Sequence, residues 1–532
     1  MPRGAALAAA APTGVRGITA ARYAPVIIAA ATMTGLGVWG LARHSSMGND
    51  EVATRWAARL GLHQLAHLLS TVDAVHGMYY LIMHGWMALG TSPAVIRIPS
   101  VISMTAAVAM TVIIARRLTG SGWAGLFAGL IMALTPVISY YAQTARSYAL
   151  VMACVLGSTL ALIRAMRAET GGATDMQIAR RWLTYGALIA LSGYLNELSL
   201  LVLTAHAITV LLARYGRSAV AHWAGVSAAA ALLVTPVVLI SHREDLVVSW
   251  ISRPDLRDLR ILFHDYFGAT TAVAVLLVAC AAAAVLPSGG RWRWPAAASA
   301  DAGPKPESGW WSSGGITLPS VAVPLLLAPA AVLALESLVT RPLYVDRYVL
   351  YGEAGAALLA GAGVHRIGQW LGDVVDRRAL IWVPGVAVCL CALLLQLAPQ
   401  HAIRTPRSRL FDFGGPSRYV GAHAQRGDGV LFFTSFYRKA RLGYPADFRK
   451  VSDFAMAVPP VRTGNFQGRN KPFEITGPLM LDFRRIWVIG TVPSLRRSPG
   501  PLRQESKVLL DRFSLAATRH FRNIVVTLWQ RR

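Results

Sequence analysis

The stretch YAPVIIAAATMTGLGVWGLA (23–42) runs almost directly into SSMGNDEVATRW (45–56). The first is apolar and about as long as the roughly 20 residues that cross a bilayer as a helix. The second sets two carboxylates, Asp50 and Glu51, side by side where that span should meet the membrane surface. A chain poor in acids needs a reason to place two of them there.

The rest of the composition agrees with a membrane setting. Of 532 residues, 54% are hydrophobic and only 15% charged, whereas soluble domains carry about a quarter charged residues. Apolar runs lie near 23–42, 97–115, 122–141, 147–163, 182–195, 198–213, 219–240, 269–286, 319–339, 343–364 and 379–398, eleven candidate spans. The first exceeds a signal-peptide core and lacks a cleavage pattern, so it reads as a retained span. The run GMYYLIMHGWMALG (77–90) is too short to cross and reads as a helix lying in the interface, where its aromatics suit headgroup depth. With the N-terminus cytoplasmic, inside loops carry Arg116 and Arg117; Arg164, Arg167, Arg180 and Arg181; Arg214 and Arg217; Arg291, Arg293 and Lys305; and Arg366, Arg377 and Arg378, a positive-inside pattern. A plasma-membrane, multi-pass protein is expected.

Residues 399–532 change character. They are polar, broken by Gly and Pro, and hold 24 Lys+Arg against 8 Asp+Glu of a chain whose net charge is +26. Short β-like runs at 430–433, 486–489 and 524–529, with helical spacing over 505–519, suggest a small α/β domain. The expected division is therefore a helical membrane domain, 1–398, with a first outside loop at 43–76, and an extracytoplasmic α/β domain, 399–532. Its basic surface suits anionic headgroups or substrates. Nucleic acid is the weaker partner, because no zinc-finger spacing or RNA-binding signature is present. Cys154, Cys280, Cys389 and Cys391 all lie in apolar runs, which argues against a disulfide framework or zinc site. His63, His67 and His84 have no ligand company either.

On this topology, acids and arginines collect on one membrane face: Asp50, Glu51, Asp73 and His76 in the first loop, Arg97 at the mouth of the second span, Arg146 and Arg347 in later turns. Arginine holds a phosphate through paired hydrogen bonds, and a carboxylate can take the proton of an attacking hydroxyl. Transfer of a group from a lipid phosphate fits that set. Each residue also has a plainer reading. The acids could belong to a solvated loop, Asp73 could cap the 77–90 helix, Arg97, Arg146 and Arg347 could anchor span ends, and Asn196–Glu197 could be a tight turn.

The ordered stretches NDEVATRWAA, TVDAVHGMYYLIMHGW, RIPSVIS, YYAQTARSYAL and VDRYVL, with GDGVLFF and GYP in the tail, resemble the GT-C superfamily. More narrowly they are similar to the family 39-like, protein-mannosyltransferase-type glycosyltransferases of actinobacteria. The resemblance implies an inverting sugar transferase that uses a polyprenyl-phosphate sugar donor, most simply mannose. The acceptor would be an extracytoplasmic glycan, lipid or protein. It implies that Asp50 is the general base with Glu51 beside it, and that Asp73, His76, Arg146 and Arg347 lie near the lipid phosphate. At Glu197 members of the family often carry His, so its substrate role rests on position alone. A divalent metal ion is compatible with the reaction, but nothing in the sequence demands one. The alternative class is a transporter or flippase of a lipid-linked sugar; it should show midplane charges or paired broken helices. A third, a membrane-anchored binding module, leaves the spans and first-loop acids unexplained.

Overall fold

The structure is a computed structural model that describes residues 14–42, 46–243, 250–286, 315–490 and 501–532, with side chains of the first and last segments described from 23 and 504 onward. Arg291, Arg293 and Lys305 of the expected inside loop lie outside the described residues.

Each of the eleven apolar runs is helical. In chain order the helices are α1 (Gly14–Val38), α2 (Asn49–Ala57), α3 (Leu62–Leu69), α4 (Gly77–Trp86), α5 (Pro93–Thr119), α6 (Gly122–Leu134), α7 (Pro136–Ala142), α8 (Tyr148–Ala168) and α9 (Asp175–Leu195). They continue as α10 (Val202–Ala213), α11 (Arg217–Ser241), α12 (Leu256–Phe267), α13 (Thr271–Val285), α14 (Leu318–Val339), α15 (Glu353–Val374) and α16 (Val383–Ala402). Among the described residues, five helices are long and apolar enough to cross a membrane alone, and up to seven spans result if two bent pairs each count as one. The bent pairs are α6–α7, broken by 69° at Pro136, and α12–α13, broken by 70°. The other four runs fall short on length or apolarity: α10 and the part of α1 whose side chains are described, Tyr23–Val38, are shorter, and α9 and α15 carry charged residues such as Arg180, Arg181, Glu353 and Arg366. Local signals set the ends. Ser92 accepts a hydrogen bond from the Val95 amide at 3.4 Å ahead of Pro93, and Gly120 closes α5 in the left-handed region at φ 72°, an arrangement typical of helix termini.

The membrane bundle is built around α15, whose sequence EAGAALLAGAGVHRIGQWLGDV is a ladder of small residues. A Cβ on Gly363 would stand 1.7 Å from the Cys280 carbonyl oxygen of α13, and one on Gly361 would stand 2.3 Å from the Ala128 amide nitrogen of α6. Small faces allow backbones to meet this closely inside a bilayer, where burial of apolar surface gives helices little reason to associate.

Beyond α16 the helix α17 (Gly414–His423) leads into the α/β unit. Its sheet has the order β2-β1-β5-β7-β6, from β1 (Asp428–Phe432), β2 (Val451–Ser452), β5 (Arg485–Gly490), β6 (Phe513–Phe521) and β7 (Ile524–Arg531). The β1 strand is parallel to β2 and β5, and β7 is antiparallel to both β5 and β6. A separate pair joins β3 (Met456–Val458) and β4 (Arg469–Asn470). Strands β1 and β5 are buried along almost their whole length, which explains why they read as unbroken apolar runs. The helix expected over 505–519 ends at Arg512, and the chain continues as the edge strand β6. A two-residue turn, with Asn523 at φ 55°, folds β6 onto β7; Asn tolerates this conformation better than most residues.

The tight faces of α15 make a test. Gly363→Ala should destabilise the protein by about 1–3 kcal/mol through overpacking, lowering the detergent melting temperature, while Gly35→Ala, which meets nothing within 4 Å, should leave it unchanged.

Candidate active site

The two acids of the opening stretch sit in the first turn of α2, where the amide-rich end of a helix favours negative charge. Their environments differ sharply. Glu51 is 1% exposed and fully engaged. Arg97 donates to it twice, Nε to Oε1 at 2.7 Å and Nη2 to Oε2 at 2.8 Å. The Ala145 amide donates to Oε1 at 3.1 Å and the Gly48 amide to Oε2 at 3.3 Å. Arg409, beyond α16, stands 3.7 Å from Oε2. Burial alone would raise the pKa of this carboxyl, but Arg409 and Arg97 bring it down to about 2. Arg97, read from sequence as an interfacial anchor, is instead a buried ion-pair partner, and it also donates to the Ser46 carbonyl at 2.8 Å.

The same hub reaches α1 and the turn before α8. Arg409 donates to Thr144 Oγ1 and to the Gln143 carbonyl, both at 2.7 Å. The Gln143 amide group donates to three carbonyls at the end of α1, Leu36, Gly37 and Trp39, at 2.7–3.2 Å.

Asp50 has no such ties. Among the described residues, no Arg or Lys lies within ion-pair distance of it, and it accepts one hydrogen bond, from Asn49 Nδ2 at 3.1 Å. Burial would raise its pKa, yet the charges of Arg146, Arg347 and Lys439 hold it below the ordinary value. It is therefore an ionised carboxylate facing a ring of positive groups.

Asp73 takes the left-handed backbone conformation at φ 61° and makes no side-chain cap. Its carboxylate turns inward, accepting from Tyr80 Oη at 2.5 Å and from Arg146 Nη2 at 3.3 Å, while Arg146 Nη1 donates to Tyr80 Oη at 2.7 Å. The capping role considered from sequence is thus not the one its side chain takes. Arg146 Nε is buried and has no hydrogen-bond partner. His76 Nδ1 lies 3.4 Å from Ser147 Oγ; burial, then Arg146, push its pKa down to about 3, so the ring is neutral. Arg347 Nε donates to Tyr148 Oη at 2.9 Å, and its guanidinium lies over the rings of Tyr148, Trp250 and Tyr348 at 5.5–5.8 Å.

The structure thus brings Asp50, Asp73, His76, Arg146 and Arg347 into one electrostatic cluster beside the Glu51 hub. Glu197 is the exception. Its turn touches the Asp346–Gly352 segment, but its carboxylate accepts from Ser241 Oγ at 2.6 Å, near His242 and Arg341. Lys439 went unrecognised in the sequence. It stands in the α/β unit at the head of α18 (Lys439–Gly443), is 7% exposed, donates to Asn49 Oδ1 at 2.6 Å, and lies over Phe436 and Phe466. Within FYRKARLG it looks like one more surface cation, and the only available signal was its position just ahead of the GYP stretch. Among the described residues, no group of three or more His, Cys, Asp or Glu stands together as a metal cluster.

Residues 77–240 match a family model described as dolichyl-phosphate-mannose-protein mannosyltransferase. No curated protein matches the chain in sequence. In structure the chain is similar to ArnT from Cupriavidus metallidurans in the apo state, with TM-score 0.57 and 12% identity over 96% of this chain and 98% of that one. It is similar to the same protein bound to undecaprenyl phosphate, with TM-score 0.58, 12% identity, and 95% and 98% covered. A looser likeness links it to an oligosaccharyltransferase from Archaeoglobus fulgidus, with TM-score 0.49, 11% identity, and 93% and 73% covered.

Two tests follow from the electrostatics. Glu51→Gln should cost about 3–5 kcal/mol, because it leaves buried arginines uncompensated, whereas Asp50→Asn, which removes a charge that has no ion-pair partner, should lower the melting temperature less. Acid should also loosen the fold. Glu51 and Asp73, each held near 2 against ordinary values of 4.5 and 3.8, lend stability that is complete above those ordinary values and fades as pH falls through about 2. His76, held near 3 against 6.5, is protonated first in the unfolded chain, so its burial becomes a growing penalty on the folded state as pH falls from 6.5 toward 3. The melting temperature should decline below about pH 6.5, and His76→Gln should flatten the upper part of that decline.

Proposed function

We propose that the chain is a membrane glycosyltransferase of the GT-C type, a reading its fold and its match over residues 77–240 support, and that it moves mannose, with inversion, from a polyprenyl-phosphate mannose to an extracytoplasmic acceptor. The observation that carries this reading is the contrast between the acids. Glu51 and Asp73 are held by arginines, and Asp50 is ionised, without an ion-pair partner, and surrounded by cations. A carboxylate in that state can accept a proton, and the cations around it can receive a phosphate.

In the proposed step the acceptor hydroxyl gives its proton to Asp50 while its oxygen attacks the anomeric carbon from the face opposite the phosphate. The bond between that carbon and the phosphate oxygen breaks, and its electron pair stays on the departing polyprenyl phosphate. Arg146, Arg347 and Lys439 would neutralise the growing negative charge, an interaction strengthened by low local dielectric. Asp73 and Tyr80 hold Arg146 in place, which makes them positioning residues. Glu51 has the same standing, since it fixes the helix that carries Asp50. Support for a polyprenyl-phosphate donor comes from the same fold having been seen with undecaprenyl phosphate in ArnT. Mannose rests on the family description.

Asp50→Asn should lower transfer of label from polyprenyl-phosphate mannose by about 10²–10⁴-fold, the usual contribution of a general base. Retained activity would refute that role. Arg347→Gln should cost about 10²–10³-fold, with the loss in kcat if the arginine acts on the leaving phosphate and in KM if it only binds donor.

A further inference from the structure

A second cationic site lies behind the first. A cavity of about 400 Å³ opens between the end of α2 and the α/β unit, lined by Arg55, Arg59, Arg438 and Arg441 with Trp56. Leu60, Leu442, Pro445, Met456 and Pro460 complete its walls. We infer that this cavity is an acceptor subsite for a glycan carrying a phosphate or carboxylate group; the inference rests on the transferase reading above.

Three features argue for it. Charge is out of balance. The carboxylate recorded with these arginines is Asp453, which is taken by Arg438, Nε to Oδ2 at 2.7 Å and Nη2 to Oδ1 at 3.3 Å, and approached by Arg441 at 3.6 Å. Among the described residues, Arg55 and Arg59 have no ion pair. Arg55 donates through Nη1 to the Gly443 carbonyl at 2.7 Å, but its Nε is buried without a hydrogen-bond partner. The donor geometry suits an anion, since the guanidinium fork matches phosphate and carboxylate oxygens in pairs.

The wall chemistry suits a sugar. Trp56 stands half-buried at the cavity, braced edge-on by Phe466 with ring centres 5.5 Å apart. A fixed aromatic face next to polar donors is the usual way to hold the apolar face of a pyranose while reading its polar rim.

The position suits an acceptor. Helix α2 carries Asp50 in its first turn and Arg55 and Trp56 in its last, about 7.5–9 Å along the axis at 1.5 Å per residue and about 120–140° around it. Helix α18 runs beside it. Lys439 bonds Asn49 at the catalytic end, and the Gly443 carbonyl receives Arg55 at the cavity end. An anionic group held by Arg55 and Arg59 would lie about one to two sugar units from a hydroxyl placed at Asp50. An acceptor of that form would be selected by charge at one end and deprotonated at the other.

The test uses the full-length chain in nanodiscs of neutral lipid, with calorimetric titration of mannose 6-phosphate, mannuronate, methyl mannoside and decaprenyl phosphate. The two anionic sugars should bind the wild type and methyl mannoside should not. Arg59→Gln and Arg441→Gln should each weaken mannose 6-phosphate or mannuronate by about tenfold, as expected for loss of one hydrogen bond to a charged group, with decaprenyl phosphate unaffected. Undiminished sugar binding in both variants would overturn the inference. So would displacement of the sugar by decaprenyl phosphate, which would place it in the donor site, or by phosphatidylglycerol nanodiscs, which would make the cavity a lipid-headgroup site. Failure of the wild type to bind decaprenyl phosphate, with Arg59-dependent sugar binding intact, would instead remove the donor reading and reduce the cavity to a glycan-binding site without an acceptor role.

Discussion

The geometry of the site depends on one buried carboxylate. Glu51 accepts from Arg97, from two backbone amides, and lies close to Arg409. An ion pair so far from solvent is a poor source of net stability, because desolvation offsets much of the attraction. What it supplies is place. The groups that meet at Glu51 come from α2, α5, the turn before α8 and the start of the α/β unit, and through Gln143 the same network takes hold of the end of α1. Removing any one partner leaves buried charge or unpaired donors, so the arrangement is held to a single solution.

Fixing α2 in this way frees its neighbouring acid. Adjacent residues on a helix point about 100° apart, so one carboxylate can face the protein while the next faces a cavity. Here Glu51 faces inward and Asp50 faces the cations. The division of labour between the two acids follows from helical geometry as much as from their chemistry. Asp73 repeats the pattern in another form: its strained backbone turns its carboxylate to Tyr80 and Arg146, so a cation near Asp50 is itself braced.

The membrane character, the run-by-run positions of the helices and the outline of the α/β unit were all legible in the sequence, because long apolar blocks and short β-branched runs are local signals. The span count was not: five to seven spans are long and apolar enough among the described residues, and the runs of α1, α9, α10 and α15 fall short because they are too short or carry charge. The edge strand β6 reads as helix because SLAATR offers Thr518 as its one β-branched residue beside Leu and two Ala, and its conformation comes from pairing with β7. At the site, Asp50, Asp73, His76, Arg146 and Arg347 could be singled out as polar residues beside apolar runs. That Glu51 is saturated, that Arg97 is its partner, and that Lys439 reaches the cluster could not, because each depends on contacts between remote parts of the chain. Glu197 shows the opposite limit: a conspicuous acid in the right kind of turn whose side chain finds Ser241 instead.

The distance between those partners has a consequence for biosynthesis. Asn49 and Lys439 stand 390 positions apart, and Arg409 likewise follows all the membrane helices. During synthesis the first loop must wait, with Glu51 short of one counter-charge and Asp50 short of one of its cations, until the last quarter of the chain has emerged and folded. The cluster is completed by the end of the polypeptide, so a nascent or prematurely terminated chain would lie in the membrane with its bundle formed and its charge cluster unfinished.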